Sequence, residues 1–145
     1  MDSVRGFANV AEFGWPVRVY YEDTDSGGVV YHTNYLKYME RVRTEFLRAR
    51  GFEQDELLHR YGIIFAVHSL TVDFLKPARF NDLLRVTARI SEHGRASIVF
   101  AQAILRDTQN TVLCRAQVKV ACLDSARFRP TPIPENILVE IADDG

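Results

Sequence analysis

The chain has 145 residues, 47% of them hydrophobic, and a formal net charge of -1. This length predicts one domain, residues 1–145, with enough apolar side chains to form a core. The near-neutral charge gives no reason to expect a nucleic-acid partner.

The composition also favours a soluble, cytoplasmic protein. No apolar run approaches the length of a membrane span, and Met1-Asp2-Ser3-Val4 lacks the basic and apolar segments of a signal peptide. Cys114 and Cys122 lie on one predicted strand. An extended chain would separate them by about 26 Å, so we expect reduced thiols that do not pair with each other.

The first half of the chain predicts one strand and two helices. Residues 1–14 show no clear period and are predicted to form a loose arm, and Trp15-Pro16 precedes a strand over 17–21. Apolar residues recur at spacings of three and four over 34–50, which predicts a long amphipathic helix. Thr33 or Asn34 is the expected N-cap, and Gly51 the expected end. A short helix over 53–61 closes at Gly62.

After Gly62 the hydrophobic period changes to two, which predicts four strands in a meander. They cover about 69–74, 85–90, 97–105 and 114–122, and the third is apolar on both faces, as in a central strand. A proline-rich loop over 127–134 precedes a short terminal segment over 137–141. One sheet with one long helix is an α+β arrangement.

The most informative residues lie between the first strand and the long helix. Asp25 is followed by the turn Gly27-Gly28, and the helix starts near Thr33. This order brings a carboxylate close to the backbone N–H groups of a helix start. A base beside an anion-stabilising helix end can support attack on a carbonyl group.

Several other interpretations compete with that one. Asp25 is also a typical turn or capping residue. Asp23-x-Asp25 resembles the aspartate pair of phosphoaspartate-forming phosphatases, but those need a parallel sheet and a longer chain. Gly27-Gly28 lacks the Lys-Ser/Thr of a phosphate-binding P-loop. The remaining histidines have no metal-site spacing: His59, His68 and His93.

Two segments together resemble a known family. Residues 21–32, Tyr-Glu-Asp-Thr-Asp-Ser-Gly-Gly-Val-Val-Tyr-His, and residues 76–82, Lys-Pro-Ala-Arg-Phe-Asn-Asp, are similar to the hotdog-fold acyl-CoA thioesterases. The closer likeness is to the 4-hydroxybenzoyl-CoA thioesterase-like branch that includes the Tol-Pal-associated enzymes. The resemblance implies an antiparallel sheet wrapped around one long central helix. It also implies edge-to-edge homodimers, or homotetramers, with active sites at the dimer interface.

The resemblance further implies a thioester hydrolase acting on short- or medium-chain acyl-CoA, with aromatic acyl groups as the next choice. Asp25 takes the family's catalytic position, as general base or nucleophile, and the backbone N–H of His32 takes that of the oxyanion donor. The His32 ring is a further candidate for contact with the substrate. No cofactor is expected, because coenzyme A belongs to the substrate. We expect Asp23 to make a structural hydrogen bond.

The expected substrate contacts are Gly28, Tyr31, which is expected to line the acyl pocket, and a cation for the CoA phosphates. Arg95 is the preferred cation, and the other candidates are Arg79, Arg89 and Lys119. Glu40 is expected to form a helix ion pair and is left out of the catalytic set. Two rival functions remain: a hotdog 3-hydroxyacyl dehydratase and a non-catalytic module that binds acyl-CoA or acyl carrier protein.

Overall fold

The computed structural model describes residues 12–142. A sheet of five strands and one long helix, α1, dominate this part of the chain. The elements in chain order are β1 (Phe13–Arg18), a 3₁₀ turn (Tyr21–Asp23), α1 (His32–Ala49), α2 (Gln54–Glu56, continued by the π-helical Leu57–Tyr61), β2 (Ile63–Phe74), β3 (Leu83–His93), β4 (Ser97–Arg106), β5 (Thr111–Asp124) and α3 (Glu135–Ala142).

The sheet is antiparallel, with the strand order β1-β3-β4-β5-β2. The predicted α+β hotdog fold is confirmed, and β4 is central as expected. The prediction of a four-strand meander was wrong, because only β3, β4 and β5 follow one another. β2 pairs instead with the far side of β5, with Leu70 opposite Val118. Hydrophobic period reveals a strand's buried face but not its neighbour, which explains the error.

The first strand lies earlier in the chain than predicted. It begins at Phe13 and contains Trp15 and Pro16, so residues 13 and 14 are not part of an arm. Residues 1–11 of the predicted arm lie outside the described residues. Pro16 is tolerated because β1 is an edge strand. The predicted extension to residue 21 fails because the backbone N–H of Tyr20 donates to the Asp23 carboxylate, which turns the chain into the 3₁₀ segment.

The long helix α1 was predicted within two residues at its start and one at its end. Neither Thr33 nor Asn34 caps it, because Tyr31 occupies the N-cap position without a side-chain hydrogen bond. Gly51 follows the helix with φ of +93°, a left-handed conformation that favours glycine, so the predicted end is confirmed.

One face of α1 packs against one face of the sheet. Tyr38, Met39 and Phe46 are each at most 1% exposed, and the Phe46 ring meets Phe100 of β4 edge-on at 5.3 Å. Burying side chains of this size contributes about 1.5–3 kcal/mol each. The cysteines of β5 alternate into this core as predicted, and both are free and buried. The core therefore fixes the position of α1, and with it the helix start, against the sheet.

Candidate active site

The segment between β1 and α1 is a closed hairpin loop. Thr24 and Val30 form an antiparallel bridge, and the backbone N–H of Asp25 donates to the Val29 carbonyl at 2.9 Å. The N–H of Gly28 donates back to the Asp25 carbonyl at 3.0 Å. Gly28 has φ of +82°, a backbone conformation that is energetically costly for most residues with a side chain. The loop therefore returns the chain toward Asp25 before the helix begins.

Asp25 lies exposed on this loop. Its Oδ1 accepts a hydrogen bond from the backbone N–H of Gly27 at 2.8 Å. That contact orients the carboxylate, and it is also the contact expected of an ordinary turn aspartate. The local geometry alone thus fits both interpretations of Asp25.

Asp23 connects the loop to the start of α1 through hydrogen bonds. Its backbone carbonyl accepts hydrogen bonds from the N–H of Tyr31 at 2.9 Å and from the side-chain amide of Asn34 at 2.9 Å. Its carboxylate accepts from the N–H of Tyr20 at 2.9 Å. The predicted structural hydrogen bond of Asp23 is confirmed, whereas its link to Asn34 was missed because Asn34 was interpreted as a cap.

His32 is the first residue of α1. Helix geometry leaves a first-turn N–H without an intrahelical acceptor, and the helix dipole favours negative charge at that end. The rings of His32 and of the exposed Tyr31 lie 4.6 Å apart. The His32 ring also meets Phe74, the last residue of β2, edge-on at 6.1 Å. The helix start therefore lies beside the end of edge strand β2.

The Lys-Pro-Ala-Arg-Phe-Asn-Asp segment supports the same loop. The N–H of Val30 donates to the Ala78 carbonyl at 2.8 Å, and Val29 forms a bridge with Arg79. The N–H of Ala78 donates to the buried Tyr35 hydroxyl of α1 at 2.9 Å. Burial raises the pKa of Tyr35, so the hydroxyl is neutral around neutral pH. The two segments that carry the family resemblance thus meet in space, and Arg79 lies beside the loop.

Four of the five predicted site residues lie together, and one does not. Asp25, Gly28, Tyr31 and His32 share the loop and the helix start. Arg95 lies exposed in the turn between β3 and β4. β3 begins beside the end of β1, near the loop, and runs away from it for 11 residues, or about 36 Å at ~3.3 Å per residue. Within one chain, Arg95 is therefore at the opposite end of the sheet from Asp25.

A cavity of about 230 Å³ lies between α1 and the β2 side of the sheet. Its lining combines polar helix residues with apolar strand residues, including Glu40, Arg43, Thr44, Phe65, Val67 and Phe100. Arg43 is held there by a 3.0 Å hydrogen bond from its Nη1 to Gln102, and burial lowers its pKa.

In residues 12–142, no cluster of His, Cys, Asp or Glu is arranged to hold a metal ion. No helix in that range is both long and apolar enough for a membrane span.

Residues 19–141 match the model of the thioesterase-like superfamily. The chain belongs to this superfamily. It is 46% identical over 125 residues to the acyl-CoA thioesterase YbgC of Haemophilus influenzae, covering 86% of this chain and 90% of that one. It is 43% identical over 132 residues to an Escherichia coli acyl-CoA thioester hydrolase, covering 91% and 97% of the two chains.

Solved structures agree with this family membership. A probable thioesterase from Bartonella henselae superposes with a TM-score of 0.79 at 34% identity, covering 85% of this chain and 99% of that one. A gentisyl-coenzyme A thioesterase superposes with a TM-score of 0.80 at 28% identity, covering 90% and 100%. The predictions of a hotdog-fold acyl-CoA thioesterase family and of a thioester hydrolase are confirmed.

Proposed function

We propose that this chain hydrolyses acyl-CoA thioesters, with Asp25 as the base or nucleophile and the backbone N–H of His32 as the oxyanion donor. The observation that carries the proposal is the hydrogen-bonded loop that joins Asp25 to the first residue of α1. The relatives named as acyl-CoA thioesterases support the substrate class.

A thioester carbonyl is already electrophilic, so a base and a charge-stabilising donor suffice for its hydrolysis. On the general-base route Asp25 takes a proton from water, and the oxygen adds to the carbonyl carbon. The oxyanion accepts the N–H of His32. When the C–S bond breaks, the CoA thiolate receives the proton from Asp25, which leaves a free acid and CoA. On the nucleophilic route Asp25 attacks the carbonyl carbon, the C–S bond breaks and CoA leaves as the thiolate. Water then hydrolyses the mixed anhydride, which releases the free acid, restores the Asp25 carboxylate and supplies the proton for the thiolate.

The acyl group is proposed to lie along the groove between α1 and β2. At one end of this groove, Phe74 of β2 contacts His32 at the start of α1. Further along α1, Phe65 and Val67 of β2 line the cavity together with Glu40. His32 and Glu40 are eight residues apart, or about 12 Å along the helix axis. An acyl chain that starts at the helix end would have to extend over about this distance to reach the cavity, which supports short- to medium-chain substrates.

The complete site is proposed to form in a dimer that pairs two β2 edges. The inward-facing side chains of β2 are only partly covered by α1, since Val67, Leu70 and Phe74 are 48%, 42% and 50% exposed. An apolar edge strand of this length is normally covered in the native assembly. A two-fold axis perpendicular to the sheet makes the two β2 strands antiparallel. That arrangement sets the turn carrying the partner's Arg95 alongside this chain's Asp25 end, which supports Arg95 as a CoA contact across the interface.

The test measures CoA release from acyl-CoAs of increasing chain length and from 4-hydroxybenzoyl-CoA. Hydrolysis of acyl thioesters carried by acyl carrier protein is measured beside them. Wild type is compared with Asp25→Asn. Asp124→Asn is the matched control, because Asp124 is also a turn aspartate, whose Oδ1 accepts the N–H groups of Ala126 and Arg127. An asparagine retains an acceptor oxygen at both positions.

We expect turnover to fall by about 10²–10⁴-fold in Asp25→Asn and to stay at the wild-type level in Asp124→Asn. Equal activity in Asp25→Asn and wild type would remove Asp25 from the mechanism. No turnover by wild type on any of these substrates would favour a binding module. Rapid-quench mass spectrometry separates the two routes, because only nucleophilic attack adds the acyl mass to the peptide that contains Asp25.

A further inference from the structure

Asn34 occupies the third position of α1, and its side chain turns back toward the loop. Its Nδ2 donates to the carbonyl oxygen of Asp23 at 2.9 Å, in a part-buried position. The helix does not need this contact, because Asn34 is not its cap. The amide therefore serves the loop rather than the helix.

The contact closes a small ring of hydrogen bonds. The same Asp23 oxygen accepts the N–H of Tyr31 at 2.9 Å, and the Tyr31 carbonyl accepts the N–H of Asn34 at 2.8 Å. Three residues, Asp23, Tyr31 and Asn34, are thus joined pairwise. An oxygen that accepts two N–H donors is constrained in two directions, so the ring resists sliding of the loop along the helix.

The two groups proposed for catalysis lie directly outside this ring. Asp25 follows Asp23 by two residues, and His32 follows Tyr31 by one. Because so few backbone torsions separate each group from the ring, its geometry sets the distance between the Asp25 carboxylate and the N–H of His32. We propose that Asn34 is a positioning residue that holds the base and the oxyanion donor in register. This inference rests on the proposed roles of Asp25 and His32.

Two substitutions separate positioning from mere stability. Asn34→Ala removes the donor but leaves the backbone bonds of the ring. Asn34→Asp keeps the side-chain shape but turns a carboxylate oxygen toward the Asp23 carbonyl, which is repulsive. The helix dipole favours an acid in the first turn, so Asn34→Asp is not expected to lose the fold. Asn136→Ala is the matched control, since the Asn136 amide makes a 3.0 Å hydrogen bond to the Tyr61 hydroxyl elsewhere.

The experiment measures kcat, KM, the Kd of free CoA and the thermal unfolding temperature for these variants, with Asp25→Asn in parallel. We expect kcat to fall about 10- to 100-fold in both Asn34 variants, because small misplacements of reacting groups cost rates of this size. KM and the Kd of CoA stay close to wild type. Asn136→Ala keeps the wild-type kcat.

A kcat within about twofold of wild type in Asn34→Ala and Asn34→Asp, whatever the unfolding temperature, would overturn the positioning role. Asn34→Ser provides the comparison if the alanine variant does not fold, and it is expected to lie between wild type and Asn34→Asp. Full activity in Asp25→Asn would instead remove Asp25 from the proposed mechanism, on which this inference rests. An inactive Asp25→Asn beside fully active Asn34 variants would overturn the positioning role alone.

Discussion

The ring of His32, at the first residue of α1, meets the edge of the Phe74 ring at the end of β2, with 6.1 Å between their centroids. This contact places the residue that carries the proposed oxyanion donor beside β2, one of the two edge strands of the sheet. Oligomer formation and catalysis are therefore expected to depend on the same side of the molecule.

A charge introduced on the inward face of β2 tests that dependence. We expect Leu70→Asp to disrupt the proposed dimer and leave a monomer, because the carboxylate would replace a 42% exposed apolar side chain at the proposed interface. Activity is expected to fall with the dimer fraction, since Arg95 of the partner subunit is the proposed cation for CoA. Light scattering and CoA release measured over the same concentration range check this.

The outward face of the same strand supplies the control. Thr71 points to the opposite side of the sheet from Leu70, because successive strand residues alternate. Thr71→Asp is expected to remain dimeric and active. A monomeric but fully active Leu70→Asp would contradict the proposed contribution of the partner to the site.

Two neighbouring tyrosines of α1 should respond oppositely to loss of the hydroxyl. The Tyr35 hydroxyl accepts the N–H of Ala78 at 2.9 Å, whereas the Tyr38 hydroxyl is buried and has no hydrogen-bond partner of standard geometry in residues 12–142. Burial, followed by a side-chain interaction of the hydroxyl with the Asp23 carboxylate that falls short of standard hydrogen-bond geometry, raises the pKa of Tyr38. Removing a bonded group leaves its partner unsatisfied, whereas removing an unpaired group relieves a desolvation cost.

We therefore expect Tyr35→Phe to lower the free energy of unfolding by about 1–3 kcal/mol. Tyr38→Phe should leave it unchanged or raise it. Urea denaturation of both variants measures the difference. A loss in Tyr38→Phe as large as that in Tyr35→Phe would show that the Tyr38 hydroxyl is bonded in solution.

The cavity between α1 and β2 should set the chain-length limit. We expect Thr44→Trp to reduce its volume of about 230 Å³ and to lower kcat/KM for medium-chain acyl-CoA. Acetyl-CoA does not extend that far and should be hydrolysed as by wild type, which makes it the internal control. An unchanged kcat/KM for the medium-chain substrate would place the acyl group elsewhere.

Much of this architecture could be predicted from periodicity. One-sided burial produces the apolar stripe of α1 that includes Met39 and Phe46. It also produces the alternation of buried and exposed side chains in β5 from Cys114 to Cys122. The neighbour of β2 could not be predicted in this way, because pairing depends on which edge is free after α1 has packed. The strand boundary near Tyr20 was missed because one side-chain acceptor, Asp23, competes with the sheet for a backbone N–H.

Part of the candidate site could likewise be predicted from the sequence, and part could not. Asp25, Gly28, Tyr31 and His32 are close in sequence, so a local pattern located them together. Arg95 lies at the far end of the sheet from Asp25 within one chain, so its predicted role depends on the proposed assembly of two chains. The link between Asn34 and Asp23 spans a turn whose shape depends on several hydrogen bonds at once, and no local propensity encodes it.

The two cysteines should be inert in the folded protein. Burial raises the pKa of Cys114 to about 12, with a further contribution from Asp73, and burial raises the pKa of Cys122 to about 11. The thiolate is the reactive form, so at pH 8 both thiols are protonated in the folded state, whereas an unfolded cysteine with a pKa of about 8.5 is partly ionised. We expect a thiol reagent at pH 8 to modify neither cysteine in buffer and both in denaturant, as intact-mass spectrometry would record. Rapid modification of the folded protein would contradict this expectation and would show that β5 opens. If the cysteines are unreactive, CoA release can be followed with the same reagent without a background signal from the enzyme.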